Sequence, residues 1–285
     1  MRLNRFIFQC SFLLCLAKLT RRSAAFSGGY TEGYLYRLAQ ASSLSYLSMD
    51  KMASSPYYDT CDFKPVVQVV DPASQSGATI FQDSQSDSLV VACRGSANPK
   101  NFGTNLKLNL VPATRLSQNS IPENALVHEG FQDASFGLWR ELELKLMDIS
   151  SEKDIIFTGH SLGAATALLC GVHYTSSVPE SKPKIITFAG PRLCNEILAK
   201  YLRNDALEGC DIINLVHDKD PVLANNQKLW DALGFENVGV ELQCDPKSPS
   251  VYTEEKPKES SMFGNFAWNF VDHCNYMGVF VGPRL

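Results

Sequence analysis

The run Asp154-Ile155-Ile156-Phe157-Thr158-Gly159-His160-Ser161-Leu162-Gly163-Ala164-Ala165-Thr166-Ala167-Leu168-Leu169 most narrows what this chain can fold into. Its first part is a short apolar, β-branched and aromatic run, the pattern of a buried strand, and its last part is rich in helix formers. Between them stands Gly-x-Ser-x-Gly. A chain passing directly from strand to helix needs a tight turn, and Gly159 and Gly163 leave room for one. A serine hydroxyl is a weak nucleophile, so a chain that uses one holds it on such a turn within reach of a histidine. The helix opening at Leu162 also aims free N–H groups and its positive end at the place where an oxyanion would form. Three fixed positions arise by chance on the order of 0.1 times in a chain of this length. The alternative reading, a plain strand-to-helix turn in an α/β domain, is therefore answered only by the rest of the sequence.

The chain has 285 residues, 45% hydrophobic and 20% charged, which suits one large α/β domain. A formal net charge of −4 without a dense Lys/Arg cluster disfavours nucleic-acid binding. The nine cysteines form no C-x-x-C pair and the five histidines are scattered, so neither a metal nor any other cofactor is expected. At the amino end, Arg2 and Arg5 precede an apolar run, Phe6 to Ala17, too short to span a bilayer, with small residues at Ser23-Ala24-Ala25. Residues 1–25 read as a signal peptide or other targeting leader, and 26–285 as a single domain. The expected address is the secretory pathway or the cell exterior, with a plastid reached through a signal-led leader as the alternative. On an oxidising route Cys61, Cys210 and Cys244, near loops, are the better disulfide candidates, whereas Cys93 and Cys170 read as buried thiols.

Along the chain, Leu35, Leu38, Ala39, Ser42, Tyr46 and Met49 recur at helical spacing within Thr31 to Met49. Strands are expected at Pro65 to Val70, Ala78 to Gln82 and Ser88 to Cys93. The stretch from Ala97 to Asn124 reads as a long functional surface loop. A second amphipathic helix covers Phe131 to Ile149. Alternation then continues with a strand at Lys184 to Ala189, a helix at Glu196 to Asn204 and a strand at Asp211 to Val216, which implies a largely parallel sheet. Asp245 to Ser261, rich in Pro, Ser, Lys and Glu, reads as an exposed, mobile loop between short strands.

Partners for Ser161 follow in the order acid, then histidine, when a nucleophile sits on an elbow of this kind. His173 lies about three turns along the elbow helix and points away. His217 comes too early to follow an acid, which leaves His273. Asp220, immediately after a strand at the carboxyl edge of the sheet, is the favoured acid, and Asp218 in the same turn is its rival.

These blocks together resemble the class 3 lipases, the fungal-lipase-like branch of the α/β hydrolases. The resemblance covers most of the chain: Leu89-Val90-Val91-Ala92-Cys93-Arg94-Gly95-Ser96, Val127-His128-Glu129-Gly130-Phe131, Gly159-His160-Ser161-Leu162-Gly163, Thr187-Phe188-Ala189-Gly190-Pro191-Arg192, Asp220-Pro221-Val222 and His273-x-x-Tyr276. It implies an α/β-hydrolase fold, a central mostly parallel sheet with helices on both faces. It also implies a triad of Ser161, Asp220 and His273, with oxyanion donors at Ser96 and Leu162. The lid of such lipases falls on Ala97 to Leu106, here polar, with Asn98, Pro99, Lys100, Asn101 and Asn105, which weakens the case for strong interfacial activation. The expected activity is carboxylester hydrolysis of lipid substrates, acylglycerols first, by a monomer with at most peripheral membrane contact. Galactolipid or phospholipid A1-type cleavage and a feruloyl-type esterase are the alternatives within that chemistry. A lipase-like binding or signalling protein without turnover is the alternative outside it.

Overall fold

The computed structural model describes residues 30–95, 109–116, 120–150, 153–217, 220, 223, 227–245, 248–253 and 273–283. The leader expected at 1–25, Ser96, the lid segment Ala97 to Leu106 and Asp218 all lie outside them. The chain divides into two units, Met1–Leu35 and Tyr36–Leu285. Of the first, the described part is 30–35, where the Thr31 hydroxyl accepts from the Tyr34 N–H at 3.2 Å and the Tyr30 and Tyr34 rings stack at 6.1 Å. The second carries every described strand.

Helix α1 spans Glu32–Leu44, and a short α2 follows at Met49–Met52. The expected single helix stops at Leu44 because Ser45 turns its hydroxyl back onto the Ser42 carbonyl at 2.8 Å, a local bond that competes with helix continuation. The central sheet has eight strands, in the order β1 (Phe63–Val70), β2 (Gly77–Asp83), β3 (Ser88–Cys93), β6 (Asp154–His160), β7 (Lys184–Phe188), β8 (Ile212–His217), β9 (Val240–Asp245) and β10 (Ser248–Thr253). The pairings β3–β6, β6–β7, β7–β8 and β8–β9 are parallel, and the pairings at both flanks are antiparallel. Parallel neighbours joined by crossover helices leave both sheet faces covered, and β3 accordingly buries every residue.

One face packs against α3 (Glu129–Ile149), α4 (Leu162–Ser177) and α5 (Glu196–Tyr201). Leu89, Val91, Cys93, Ile155, Phe157 and Ile185 from the strands share a core there with Leu138, Leu142 and Leu146 of α3 and Leu169 and Val172 of α4. Helix α4 lies so deep that Gly163 through Thr175 are all buried, as its near absence of charge anticipates. On the other face α1 is tied to β6 by the Ser42 and Thr158 hydroxyls, 3.2 Å apart. A small hairpin, β11 (Asn275–Tyr276) with β12 (Val279–Phe280), sets the Tyr276 ring 5.6 Å from Phe188 there.

Two stretches differ from the sequence reading. Within the expected loop, β4 (Leu110–Pro112) pairs antiparallel with β5 (Leu126–His128). Within the expected mobile tail, β10 pairs with β9. β4 is a three-residue strand whose partner lies beyond the local pattern, and β10 is a polar strand paired with the one just before it; composition reveals neither. The helix expected over Glu196 to Asn204 also changes character, because α5 gives way to a π-turn at Leu202–Ala206. A further short helix, α6, occupies Gln227–Ala232, and Trp230 from it packs on Phe235 at 6.0 Å. The disulfide expectation is corrected at Cys61 and Cys210, which are free thiols; Cys61 is enclosed, and burial pushes its pKa up to about 12.

Candidate active site

Strand β6 delivers Ser161 to the carboxyl end of the sheet with φ 59° and ψ −124°, a backbone that L residues rarely adopt. Two anchors hold it: the Ser161 N–H donates to the Phe188 carbonyl at 3.0 Å, and the Ser161 carbonyl accepts from the Ala164 N–H at 2.9 Å. The flanking glycines are required by close approach. A Cβ on Gly159 would run into the Gly163 carbonyl, and one on Gly163 would run into the Cys93 carbonyl and the Arg94 backbone. The elbow therefore fits only because β3, β6 and the start of α4 meet backbone to backbone. Leu162, the first residue of α4, contributes one of the first-turn N–H groups that have no acceptor within a helix.

Asp220 follows β8, with its N–H donating to the His217 carbonyl at 3.0 Å. Its carboxylate is enclosed: Oδ1 accepts from the Leu223 N–H at 3.3 Å and Oδ2 accepts from His273 Nδ1 at 2.7 Å. Since a carboxylate oxygen only accepts, Nδ1 carries the imidazole proton. Nε2, 3.0 Å from Ser161 Oγ, is then the acceptor for the serine hydroxyl. Three residues separated by 53 and 112 positions in sequence thus form one hydrogen-bonded line. Ser161 is 6% exposed, against 1% for His273 and 0% for Asp220, so the whole line is buried, most deeply at the carboxylate. In that setting the imidazole is placed to take the hydroxyl proton and the carboxylate to hold the tautomer and steady the resulting cation.

The other histidines are elsewhere. His173 stacks on Trp139 at 5.8 Å, with burial drawing its pKa down to about 4. His128 accepts the Phe131 N–H at 3.3 Å as the cap of α3, and burial likewise draws it down to about 4. His217 ends β8, its ring 6.4 Å from Tyr276. Sequence reasoning gave no role to His160 or Tyr46, yet His160 Nε2 lies 2.7 Å from the His273 carbonyl oxygen and Tyr46 Oη lies 3.1 Å from His160 Nδ1. The available signal was a titratable ring at the inner end of an otherwise apolar strand. Among the described residues no group of His, Cys, Asp and Glu is arranged to hold a metal ion.

A mostly parallel sheet with helices on both faces, a serine on a strained strand-to-helix elbow, and an acid and a histidine arriving from later segments are the architecture of the α/β-hydrolase fold. The family model described as lipase (class 3) matches residues 90–225, from β3 past Asp220. It is 28% identical over 192 residues to phospholipase A1-II 1 of Oryza sativa subsp. indica, covering 59% of this chain and 46% of that protein. It is 31% identical over 137 residues to a lipase of Rhizopus niveus, covering 46% and 33% respectively. The chain thus spans less than half the length of either relative. A solved triacylglycerol lipase, reported with a serine protease triad as its catalytic centre, superposes with a TM-score of 0.71 at 20% identity, covering 91% of this chain and 98% of that one. At that identity the likeness is one of fold.

Proposed function

We propose that the protein is a serine carboxylester hydrolase acting on fatty-acyl esters of lipids, acylglycerols first. The single observation that carries this is the line Ser161–His273–Asp220, with both imidazole nitrogens at hydrogen-bond distance and the tautomer fixed by Asp220. In this reading Ser161 Oγ attacks the ester carbonyl as His273 takes its proton. The protonated imidazole then releases the alcohol, and water, activated by the same ring, frees the fatty acid. Leu162 and Ser96 supply the oxyanion donors. The similarity to a rice phospholipase A1 and to a fungal lipase supports both a phospholipid and an acylglycerol substrate. Leader 1–25 directs the remaining domain, 26–285, to the secretory pathway in this reading, supported by Arg2, Arg5 and the apolar run after them.

The test is protein lacking the leader, assayed on acylglycerols, phospholipids and galactolipids beside Ser161→Ala, with fluorophosphonate labelling read by mass spectrometry. Fatty-acid release lost in Ser161→Ala, and an adduct on Ser161, are the expected results. No adduct on Ser161, or release unchanged in the variant, sinks the hydrolase reading. Cleavage confined to short soluble esters replaces lipase by esterase.

A further inference from the structure

The described segment that begins with His273 is held at its far end by the two-residue pairing of β11 with β12, a 2.7 Å bond from the Val281 N–H to the Cys274 carbonyl, and bonds from the Ser43 hydroxyl to the Phe280 carbonyl at 2.7 Å and from the Phe280 N–H to the Tyr57 hydroxyl at 2.9 Å. At its start, the His273 backbone is held to the elbow by the residue just before the serine. His160 Nε2 lies 2.7 Å from the His273 carbonyl oxygen. A carbonyl only accepts, so Nε2 carries the ring proton. Burial, and secondly the charge of His273, hold His160 well below the usual imidazole range, so the ring is neutral and Nδ1 is bare. The Tyr46 hydroxyl, 3.1 Å away, then donates to Nδ1, and the Gly95 backbone lies against the same hydroxyl. A side chain on Gly95 would collide with that hydroxyl and with the His160 carbonyl.

Resting on the triad reading, we propose that His160 is a positioning residue for His273: as the Nε2–H tautomer fixed by Tyr46, it clamps the His273 carbonyl and so sets the imidazole between Ser161 and Asp220. Nucleophile and base are thereby spaced by adjacent residues, because His160 and Ser161 share one turn. A neutral ring suits this position, since a cation 4.8 Å from the His273 ring would oppose the imidazolium that forms in turnover.

The variants His160→Gln and His160→Asn separate this from a general packing role. A glutamine amide reaches where Nε2 stands and keeps the bond to His273, whereas an asparagine amide reaches only where Nδ1 stands and keeps the bond to Tyr46. On a soluble p-nitrophenyl ester, His160→Asn is expected to lower kcat about 100-fold with KM within about twofold, and His160→Gln to recover to within about fivefold of wild type. Equal losses in both variants, or a change carried by KM, overturn the proposal. Proton NMR supplies a readout independent of turnover, the far-downfield signal of the His273 Nδ1–H held by Asp220. It should persist in wild type and His160→Gln and vanish in His160→Asn; persistence in all three overturns the proposal. Should His160→Asn fail to fold, Tyr46→Phe decides: about a tenfold loss in kcat with a displaced downfield signal supports the clamp, and no change in either overturns it. A wild-type protein that turns over no ester defeats the hydrolase reading, and the NMR contrast then decides the clamp alone.

Discussion

At Ser161 the backbone stands at φ 59°, and a residue held there costs of order 1–3 kcal/mol and persists only where its surroundings impose it. The bonds from Ser161 N–H to Phe188 and from Ala164 N–H back to Ser161 do so. The acid's role is testable on the same footing. Asp220→Asn keeps the shape and one acceptor oxygen but permits the wrong imidazole tautomer, and steady-state kinetics should show kcat down by on the order of 10⁴-fold with little change in KM. Ser96→Ala removes the hydroxyl and keeps the N–H; loss of the hydroxyl as an oxyanion donor should cost about 100- to 1,000-fold in kcat, and an unchanged kcat would leave Ser96 only its N–H to offer. At this scale much was legible: order along the chain pointed to Ser161 and His273 and favoured Asp220 over its rival Asp218, and the structure places Ser161, His273 and Asp220 in one hydrogen-bonded line. His160 was not legible, because a buried histidine in an apolar strand has the same sequence pattern whether it serves packing or clamps another backbone.

Among the elements, α4 and β3 depend on one another at Gly163, where a side chain would strike the Cys93 carbonyl and the Arg94 backbone. Gly163→Ala should therefore displace the helix from the sheet, seen as a lowered thermal midpoint together with lost fluorophosphonate labelling. Labelling at the wild-type rate would show that the elbow tolerates the methyl group. On α3, Leu142 is fully buried against the same face, and Leu142→Ala should lower the unfolding free energy in urea by about 2–5 kcal/mol through lost burial and an unfilled cavity. Elements with strong patterning, such as α3 and β3, lie within two residues of their sequence reading. β4 and β10 escaped it because a three-residue or polar strand takes its identity from the strand beside it.

For the whole molecule, three enclosed histidines couple folding to protons. His128 and His173 are drawn down to about 4, and His160 well below its usual range, each chiefly by burial. Each is neutral when folded and protonates near pH 6.5 once unfolded, so the unfolded chain binds more protons below that pH. The stability they contribute is present above about pH 6.5 and declines as pH falls toward about 4. Urea denaturation from pH 7 to 4.5 should show this fall, and His173→Phe should flatten its slope by up to about 1.4 kcal/mol per pH unit. An unchanged slope in that variant contradicts the assignment of His173 as a neutral buried ring.

By itself the sequence determined the α/β alternation, the elbow and the order of the groups that meet there. These are local matters of periodicity, glycine placement and residue chemistry, written in consecutive residues. Only the tertiary structure decided that Asp220 and His273 reach Ser161 at hydrogen-bond distance, that the last strands extend the sheet, and that Tyr46 and His160 fasten the His273 backbone. Apart from the β9–β10 turn, each of these is a contact between segments far apart in the chain. Its geometry is set by how strands register and helices pack, and no stretch of neighbouring residues contains that information.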